Sequence, residues 1–379
     1  MDIFNFLNAN VIMKISLVFL GTTGAGPVYS LEMARALYES KRCHLQVIIS
    51  ENITNKVQWV NYFSQCQDVD FHIIETYAHT SLSVLKTLYF DFEKKRYLVD
   101  LIKGFQSEIL YLPFGLMWSN YVFRRLHDNV RIISTIHDPH PHDSMFGGFK
   151  WFLLRILSDR GQDRLVNDVV ILNKKDVDFV QRKFCKNVCV IPHASFHYYV
   201  KEQCNYGIKY KIGFFGRIEP YKGLDLLVEA FEHQENKNLK LLIAGSGAID
   251  SYLKSRIESN SNIELINRYI EDDEFQELIN QIDFVVLPYK RASQSGVIPM
   301  SFAFGKTVIS TRVGALEEQI PEGTGVLVEP NSSAISEAIT KLYSMPSDIV
   351  KMGKSAQLYA QTELTWAHSA DLLLNYLSN

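Results

Sequence analysis

The chain has 379 residues, of which 47% are hydrophobic and 21% charged, with 20 Gly, 11 Pro and a formal net charge of -3. This length suits about two globular domains, and the composition excludes a disordered, collagen-like or low-complexity protein. No apolar run reaches the roughly 18 residues of a membrane-spanning helix, and the first residues lack the pattern of a signal peptide. We therefore expect a globular cytoplasmic protein.

The cysteines are odd in number and scattered along the chain. They form neither a disulfide framework nor the two ligand pairs that a zinc site requires. We expect reduced thiols, as is usual in cytoplasmic proteins, and no bound metal. The five residues are Cys43, Cys66, Cys185, Cys189 and Cys204.

Short runs rich in β-branched residues alternate with longer amphipathic stretches, which is the pattern of β-α units in parallel sheets. The first series of predicted strands covers 15–20, 45–49, 71–74, 109–112, 132–136, 169–172 and 188–191. The second series covers 211–215, 239–244, 263–266, 284–287, 307–310 and 325–328. The count predicts an α/β fold with two doubly wound domains.

A polar segment at 201–209 separates the two series and is the natural linker. We predict an N-terminal extension at 1–12, a first domain at 13–204 and a second at 205–363. Residues 364–379 are predicted to form a C-terminal helix that packs back on the first domain, because their apolar residues recur at helical spacing. Residues 1–200 contain 22 Lys and Arg against 19 Asp and Glu, so the first half is net positive and the second net negative.

A glycine-rich turn follows the first strand, with Gly21, Gly24 and Gly26 ahead of a helix predicted from about residue 28 to 38. Such a turn offers backbone N–H groups and the positive end of the helix dipole to an anion. The spacing fits neither the dinucleotide-binding turn nor the P-loop. Both an anion site and a plain tight turn remain open.

The strand at 211–215 leads into Gly216, Arg217 and, five residues later, Lys222, just before an amphipathic helix. Two cations beside a helix start can clamp a diphosphate, Arg through its planar fork and Lys as a point charge. Gly245 follows the next strand at the same edge of the sheet. Ligands of doubly wound sheets bind at this edge.

Two other patterns invite a metal but are better explained otherwise. His137, His140 and His142 lie in an extended loop with two prolines, not at helical ligand spacing. We favour a substrate loop, with His137 as its main residue and the other two weaker candidates on the acceptor side, and assign His193 a structural role. The D-x-D pairs at 68–70 and 176–178 are interpreted as solvated faces.

The motifs together resemble the retaining glycosyltransferases of family 4, which have the GT-B fold. They are G-R-x4-K-G from Gly216, L-x-x-A-G-x-G from Leu241, and G-K-x-V-I-x-T-x-V-G from Gly305, and the resemblance covers most of the chain. It implies two Rossmann-like domains facing each other across a cleft, an acceptor-binding one and then a donor-binding one.

The resemblance also implies roles for individual residues. Arg217 and Lys222 would hold the diphosphate of a nucleotide sugar, and His137 would lie near the transferred sugar. Gly24, Gly26 and Gly245 would approach the donor closely. The backbone at Arg268 and Tyr269 would lie beside the base.

The sequence departs from the family at the two glutamates that usually bind sugar and ribose. Alignment on Gly305 places Ala292 and Met300 at these positions. The backbone amides of Ser295, Gly296 and Val297 could still receive sugar hydroxyls or phosphate. The departure leaves the donor open.

We therefore predict a metal-independent retaining glycosyltransferase that needs no cofactor and moves a sugar from a nucleotide-sugar donor to a glycan acceptor. By family habit the acceptor belongs to a bacterial surface polysaccharide such as O-antigen, capsule or exopolysaccharide, and is lipid-linked. Basic aromatic segments at 92–97 and 150–164 fit a core helix with a solvated face slightly better than an interfacial helix, although a lipid-linked acceptor would make peripheral contact with the cytoplasmic membrane face natural. No nucleic-acid partner is expected. A catalytically degenerate GT-B subunit and a GT-B sugar-nucleotide epimerase remain the alternative functions.

Overall fold

All thirteen predicted strands are present in the computed structural model, which describes residues 12–76, 91–140, 165–196, 200, 204 and 206–379. The strands of the first sheet are β1 Met13–Phe19, β2 Cys43–Ser50, β3 Val69–Ile74, β4 Ile109–Leu112, β5 Arg131–Ile136, β6 Asp168–Ile171 and β7 Asn187–Val190. Those of the second are β8 Lys211–Phe215, β9 Lys240–Ala244, β10 Ile263–Ile266, β11 Phe284–Leu287, β12 Val308–Thr311 and β13 Gly325–Val328.

The described helices follow the strands as the amphipathic stretches predict. The first six are α1 Gly26–Glu39, α2 Lys56–Phe63, α3 Phe92–Gly104, α4 Ser119–Leu126, α5 Val177–Phe184 and α6 Leu224–Glu232. The others are α7 Ser251–Ser259, α8 Asp272–Asn280, α9 Val297–Ala303, α10 Ser332–Ser344, α11 Pro346–Thr362 and α12 Trp366–Leu377. Short 3-10 helices lie at Pro220–Lys222 and Leu316–Gln319.

Both sheets are parallel, and the six strands of the second follow the same order as the first six strands of the first. The first is β3-β2-β1-β4-β5-β6-β7 and the second β10-β9-β8-β11-β12-β13. The order reverses between β1 and β4 and again between β8 and β11, which is the doubly wound arrangement that places ligands at the carboxyl ends of these strands. The predicted α/β fold class is confirmed at this level.

Burial explains why the apolar runs form strands rather than helices. All four residues of β4, β6, β11 and β12 are buried, as expected for sheets covered on both faces. In the second unit, the apolar residues of β11 and β12 belong to one core that includes Phe214, Phe284 and Phe302. The first unit has a core of its own that includes Phe123.

Within the described residues the chain divides into two compact units. The first runs to Leu172 and adds Val177–Ile191 and Trp366–Asn379, and the second comprises Asn173–Asp176 and Pro192–Thr365. The predicted boundary at 204 therefore falls inside the second unit. The reason is a pair of bonds from Ser195, whose N–H donates to Leu364 O at 2.7 Å and whose hydroxyl donates to Ala360 O at 3.3 Å.

Helix α12 belongs to the first unit although it ends the chain. Arg42 donates to Asp371 at 2.9 Å and to Asn375 at 2.7 Å. The ring of Trp366 meets that of Tyr29 on α1 at a centroid distance of 5.0 Å. Within the described ranges, no helix combines the length and apolar character that crossing a membrane requires.

A buried carboxylate fixes α12 to the sheet. Asp168 accepts from Arg131 Nε at 2.6 Å and from the Tyr376 hydroxyl at 2.8 Å. Burial alone would raise the pKa of Asp168, but the hydrogen bonds from Arg131 and Tyr376 and the Arg131 charge lower it overall. The ionised form is therefore part of the folded first unit.

We predict that Tyr376→Phe lowers the free energy of unfolding by about 1–2 kcal/mol near pH 7, because it removes a hydrogen bond to a buried charge. A depressed pKa stabilises the fold above the unfolded-state value of about 3.9 and loses that effect as the pH falls further. The difference between variant and wild type should therefore shrink below about pH 4. Urea unfolding at a series of pH values measures it.

The matched control is Tyr97→Phe, because the Tyr97 side chain is 52% exposed. Its effect should be close to zero at every pH. Equal losses for both variants, or a loss at Tyr376 that does not depend on pH, would contradict a role for the Asp168 carboxylate.

Candidate functional site

The carboxyl ends of β8, β9 and β11 bring several predicted site residues together in the second unit. Gly216 and Arg217 follow β8, Gly245 follows β9, and Ser295 and Gly296 lie between β11 and α9. This edge contains the switch point between β8 and β11. It is the position at which a doubly wound sheet binds a ligand.

Two glycines allow the backbone segments at this edge to approach closely. Gly245 has φ 151°, and a Cβ there would lie 1.9 Å from Gly216 O. Gly223 has φ 67°, and a Cβ there would lie 2.0 Å from Pro288 O. Any side chain at either position would displace the strand ends, so the glycines are required by the packing.

Lys222 is the central cation of the site. Its side chain is buried, with 9% exposure, and makes no hydrogen bond or ion pair with a described residue. The Nζ atom lies 5.2 Å from the ring centroid of Tyr289 and 2.9 Å from the place where a Cβ of Gly216 would stand. Because an unpaired buried ammonium is costly, this arrangement favours binding of an anion.

Arg217 presents the second cation at the same strand end. Its side chain is exposed, and its guanidinium has no partner in the part of the chain that the structure describes. The fork of donors is thus available to a ligand, as the sequence predicts.

The loop before α9 offers fewer free amides than the sequence predicts. The Ser295 N–H donates to Gln319 Oε1 at 2.7 Å, and the Val297 N–H donates to the Ser295 hydroxyl at 3.3 Å. Only Gly296, of the three predicted donors, has an N–H without an acceptor among the described residues. Of the three expected amides, one is therefore left without an acceptor among the described residues, because Ser295 binds Gln319 and Val297 binds within the loop.

The two positions of the family glutamates are used for packing. Ala292 is buried, and its carbonyl oxygen lies 1.4 Å from where a Cβ of Gly314 would stand, at φ 53°. Met300 is half-buried and packs against the core of the second unit. Both places contribute to the interior of the unit.

Arg268 and Tyr269 follow β10, but the Arg268 guanidinium is already engaged. It donates to Glu274 on α8 through Nη1 at 2.6 Å and Nη2 at 2.5 Å, and to Tyr269 O at 3.2 Å. The hydrogen bond and charge of Glu274 raise the pKa of Arg268, and Arg268 in turn lowers that of Glu274. The Tyr269 side chain is 68% exposed.

Lys306 of the G-K motif lies away from the site. It precedes β12 at the amino end of the strands, is buried, and donates to Ile282 O at 3.0 Å. Burial, aided by the charge of Lys209, lowers the pKa of Lys306 to about 8. The motif therefore supports the sheet and not the ligand.

His193, for which the sequence predicts a structural role, lies beside Gly296 at the start of α9. Its Nδ1 is 2.9 Å from Ala194 O, and its Nε2 is 3.5 Å from where a Cβ of Gly296 would stand. Burial lowers the pKa of His193, so the neutral ring is favoured. The residue supports the start of α9.

In the first unit, the glycine turn follows β1 and opens α1. Gly24 has φ 81° with open space around it, so it is available for close approach. Gly26 is different, because a Cβ there would lie 2.8 Å from the ring of Phe19 and 3.5 Å from that of Phe114. Packing inside the unit explains Gly26 without a ligand.

His137 lies in the first unit at the carboxyl end of β5 and is held by aromatic neighbours. Its Nε2 is 2.8 Å from Pro113 O, and its ring stacks on Phe114 at 3.8 Å with an interplanar angle of 13°. Tyr29 meets the same ring edge-on at 4.7 Å. His140 is exposed and stands near Phe179, while His142 and the segment 150–164 lie outside the described residues.

The sequence did not single out Phe114, Tyr289 or Gln319, which shape these surroundings. The only available signal is the Leu-Pro step that ends β4 before Phe114 and β11 before Tyr289. Across the described ranges, no group of three or more His, Cys, Asp or Glu could hold a metal ion.

Comparison with known proteins finds a family match in the second unit. Residues 209–345, 137 of the 379, match the family model described as Glycosyl transferases group 1. The match includes Arg217, Lys222 and the loop before α9. It leaves the whole of the first unit outside.

Several relatives by sequence are named as glycosyltransferases. A D-inositol 3-phosphate glycosyltransferase of Corynebacterium glutamicum is 29% identical over 42% of this chain and 41% of its own length. An uncharacterized glycosyltransferase of Methanocaldococcus jannaschii is 23% identical over 81% of this chain and 89% of its own. A GDP-mannose:glycolipid 4-beta-D-mannosyltransferase of Xanthomonas campestris is 26% identical over 30% and 35%. The chain thus matches about two fifths of the length of the first of these relatives.

Solved structures extend the likeness to both units. A glycosyltransferase from Rickettsia africae superposes with a TM-score of 0.70 at 15% identity, over 96% of this chain and 97% of that one. HepE of Anabaena, in complex with UDP and glucose, gives 0.68 at 14% identity, over 97% and 100%. The chain therefore has the GT-B fold, and the match to group 1 glycosyltransferases lies within its second unit.

We predict that Gly245→Ala lowers the free energy of unfolding of the second unit by about 2 kcal/mol or more, because the added Cβ meets Gly216 O at a strained φ. The control is Gly104→Ala at the end of α3, where a Cβ would meet open space. That change should shift stability by less than about 1 kcal/mol. Urea unfolding compares the two, and similar values would contradict the close approach at Gly245.

Proposed function

We propose that the protein is a retaining glycosyltransferase of family 4 that moves a sugar from a nucleotide-sugar donor to a glycan acceptor. The observation that carries the proposal is the buried ammonium of Lys222, which has no counter-ion among the described residues and lies in the group 1 domain. A bound diphosphate would supply the missing charge. The GT-B fold is consistent with this chemistry but, as a fold, does not specify it.

In the proposed complex, Lys222 and Arg217 neutralise the diphosphate and the Gly296 N–H donates to one of its oxygens. These donors act as fixed positive charges where negative charge develops on the leaving group, which is the main requirement of the step. We propose that the protein uses them in place of a metal ion. HepE was solved with UDP, which makes UDP the first nucleotide to test.

The proposed transfer proceeds with retention at the anomeric carbon. The bond from that carbon to the acceptor oxygen forms on the face where the bond to the diphosphate oxygen breaks. The acceptor hydroxyl gives its proton to the departing phosphate, so charge and atoms balance without a protein nucleophile. This course is implied by the family resemblance, and the two cations support it by stabilising the leaving group.

We further propose that the first unit provides the acceptor-binding residues and that the acceptor is a lipid-linked glycan of a bacterial surface polysaccharide. One relative is named for a glycolipid acceptor. On α3 and α4 the exposed ring of Phe92 is 6.3 Å from Tyr121, whose own ring carries Arg125 at 3.6 Å. Aromatic and cationic groups of this kind favour peripheral contact with the cytoplasmic membrane surface.

The first test replaces the two cations. Arg217→Ala and Lys222→Met should each weaken binding of UDP or GDP by roughly tenfold to a hundredfold, because each removes a charged hydrogen bond. Lys222→Met should leave the ligand-free protein as stable as the wild type or more so, since it removes an unpaired buried charge. Calorimetric titration and thermal unfolding measure the two effects.

Lys240→Met is the control, because Lys240 is exposed at the amino end of β9. It should change neither property. Intact binding and turnover in both site variants would show that the site assignment is wrong. Nucleotide binding without any turnover would instead favour the catalytically degenerate subunit.

The second test concerns His137 in the transfer step. We expect His137→Ala to lower the transfer rate at least tenfold while changing UDP or GDP affinity less than about twofold, because His137 belongs to the first unit and is not one of the groups proposed to hold the diphosphate. The assay follows radiolabel from a panel of nucleotide sugars into the lipid fraction of a membrane extract. His44→Ala, at an exposed histidine near the amino end of β2, is the control, and equal losses in transfer and binding would give His137 a structural role.

A further inference from the structure

The loop between β11 and α9 is held by the backbone on either side of one glutamine. Asn173 donates to Ser293 O at 3.2 Å. Gln319 binds Ser295 twice, accepting from its N–H at 2.7 Å and donating to its carbonyl oxygen at 3.1 Å. The residue between these anchors, Gln294, therefore has a fixed backbone.

The side chain of Gln294 is not satisfied in this position. Its Oε1 is buried and has no hydrogen-bond partner in the part of the chain that the structure describes. Gln319, the same residue type in the same region, uses both ends of its carboxamide. A buried unpaired carbonyl costs about 1–3 kcal/mol, so its presence calls for a physical reason.

The place of Gln294 suggests the reason. It precedes by two residues Gly296, whose N–H has no acceptor in the part of the chain that the structure describes. Val297 Cγ2 lies 3.6 Å from the position that a Cβ of Gly216 would occupy, and Lys222 Nζ lies 2.9 Å from the same position. The loop that carries Gln294 thus ends next to the proposed diphosphate site, where the group attached to the diphosphate would pass.

We infer that Gln294 selects the donor by accepting a hydrogen bond from a hydroxyl or amide N–H of the transferred sugar through its side-chain oxygen. This inference rests on the proposed function and specifies the residue that distinguishes the sugar from the bare nucleotide. The carboxamide is neutral and does not titrate, so its role is to position the sugar and not to transfer a proton. The terminal torsion of glutamine is broad, so the oxygen turns toward a ligand without backbone movement.

The first arm of the test uses stability without any ligand. Gln294→Leu should leave the thermal midpoint unchanged or raise it, because it removes an unsatisfied acceptor at similar volume. Gln319→Leu is the matched control and should lower the midpoint, since it leaves both bonds to Ser295 unmade. A drop for Gln294→Leu as large as that of the control would overturn the inference, because it would indicate a structural role.

The second arm compares nucleotide sugars with their own diphosphates. The probes are UDP-glucose, UDP-N-acetylglucosamine and GDP-mannose beside UDP and GDP. For the sugar that the wild type binds best, Gln294→Leu should weaken affinity by about fivefold to tenfold, the worth of one hydrogen bond. The affinity for the bare diphosphate should stay within about twofold, because the loop backbone remains anchored.

Gln294→Glu keeps an acceptor at this place and should recover part of the sugar affinity. A deoxy donor that lacks the contacted hydroxyl should bind wild type and Gln294→Leu equally, since the two changes remove the same bond. If the diphosphates bind but the ratio of sugar to diphosphate affinity is unchanged in Gln294→Leu, the inference alone is wrong. If the wild type binds neither diphosphate, the proposed function is wrong and the inference with it.

Discussion

The second unit buries the ammonium of Lys222 in a setting that gives it an aromatic face and no carboxylate among the described residues, and the surrounding backbone is arranged around that charge. The 3-10 turn Pro220–Lys222 ends at Gly223, whose left-handed conformation lets the turn approach Pro288. Tyr289 then lies beneath the ammonium and bonds the hydroxyl of Ser295 at 3.2 Å. An anion that binds here would stabilise the whole edge of the sheet by mass action.

The two units have corresponding strand orders but different side chains at the carboxyl ends of their strands. In the second unit the strand ends present Lys222 and Arg217, which suit a charged ligand. In the first unit the equivalent edge presents His137 between aromatic rings, with Phe114 stacked on it. The net charge of the second half of the chain is negative, so anion binding there would depend on two placed cations and one backbone amide rather than on overall charge.

The strands were predictable from the sequence because strands buried on both faces consist of short, continuous apolar runs. The location of Arg217 and Lys222 at one strand end was also predictable, since both follow β8 within a few residues. Contacts between distant segments were not. Gln319 reaches Ser295 across 24 residues, and His137 reaches Pro113 across the same separation, and no local spacing encodes either bond. The division by contacts at Pro192 differs from the predicted boundary at 204 for the same reason, because the polar composition of 201–209 does not show that Ser195 binds Ala360 and Leu364.

Because α12 returns to the first unit, a single cleavage of the chain cannot separate the two units intact. The chain leaves the first sheet after β7, completes the second unit, and then comes back to place Tyr376 on Asp168. A fragment that stops at Ile191 would leave the Asp168 carboxylate and the α1 surface near Trp366 without their covering helix. Separate production of the first unit therefore calls for α12 to be supplied as a peptide, or for a circular permutation that joins it to β1 through a linker.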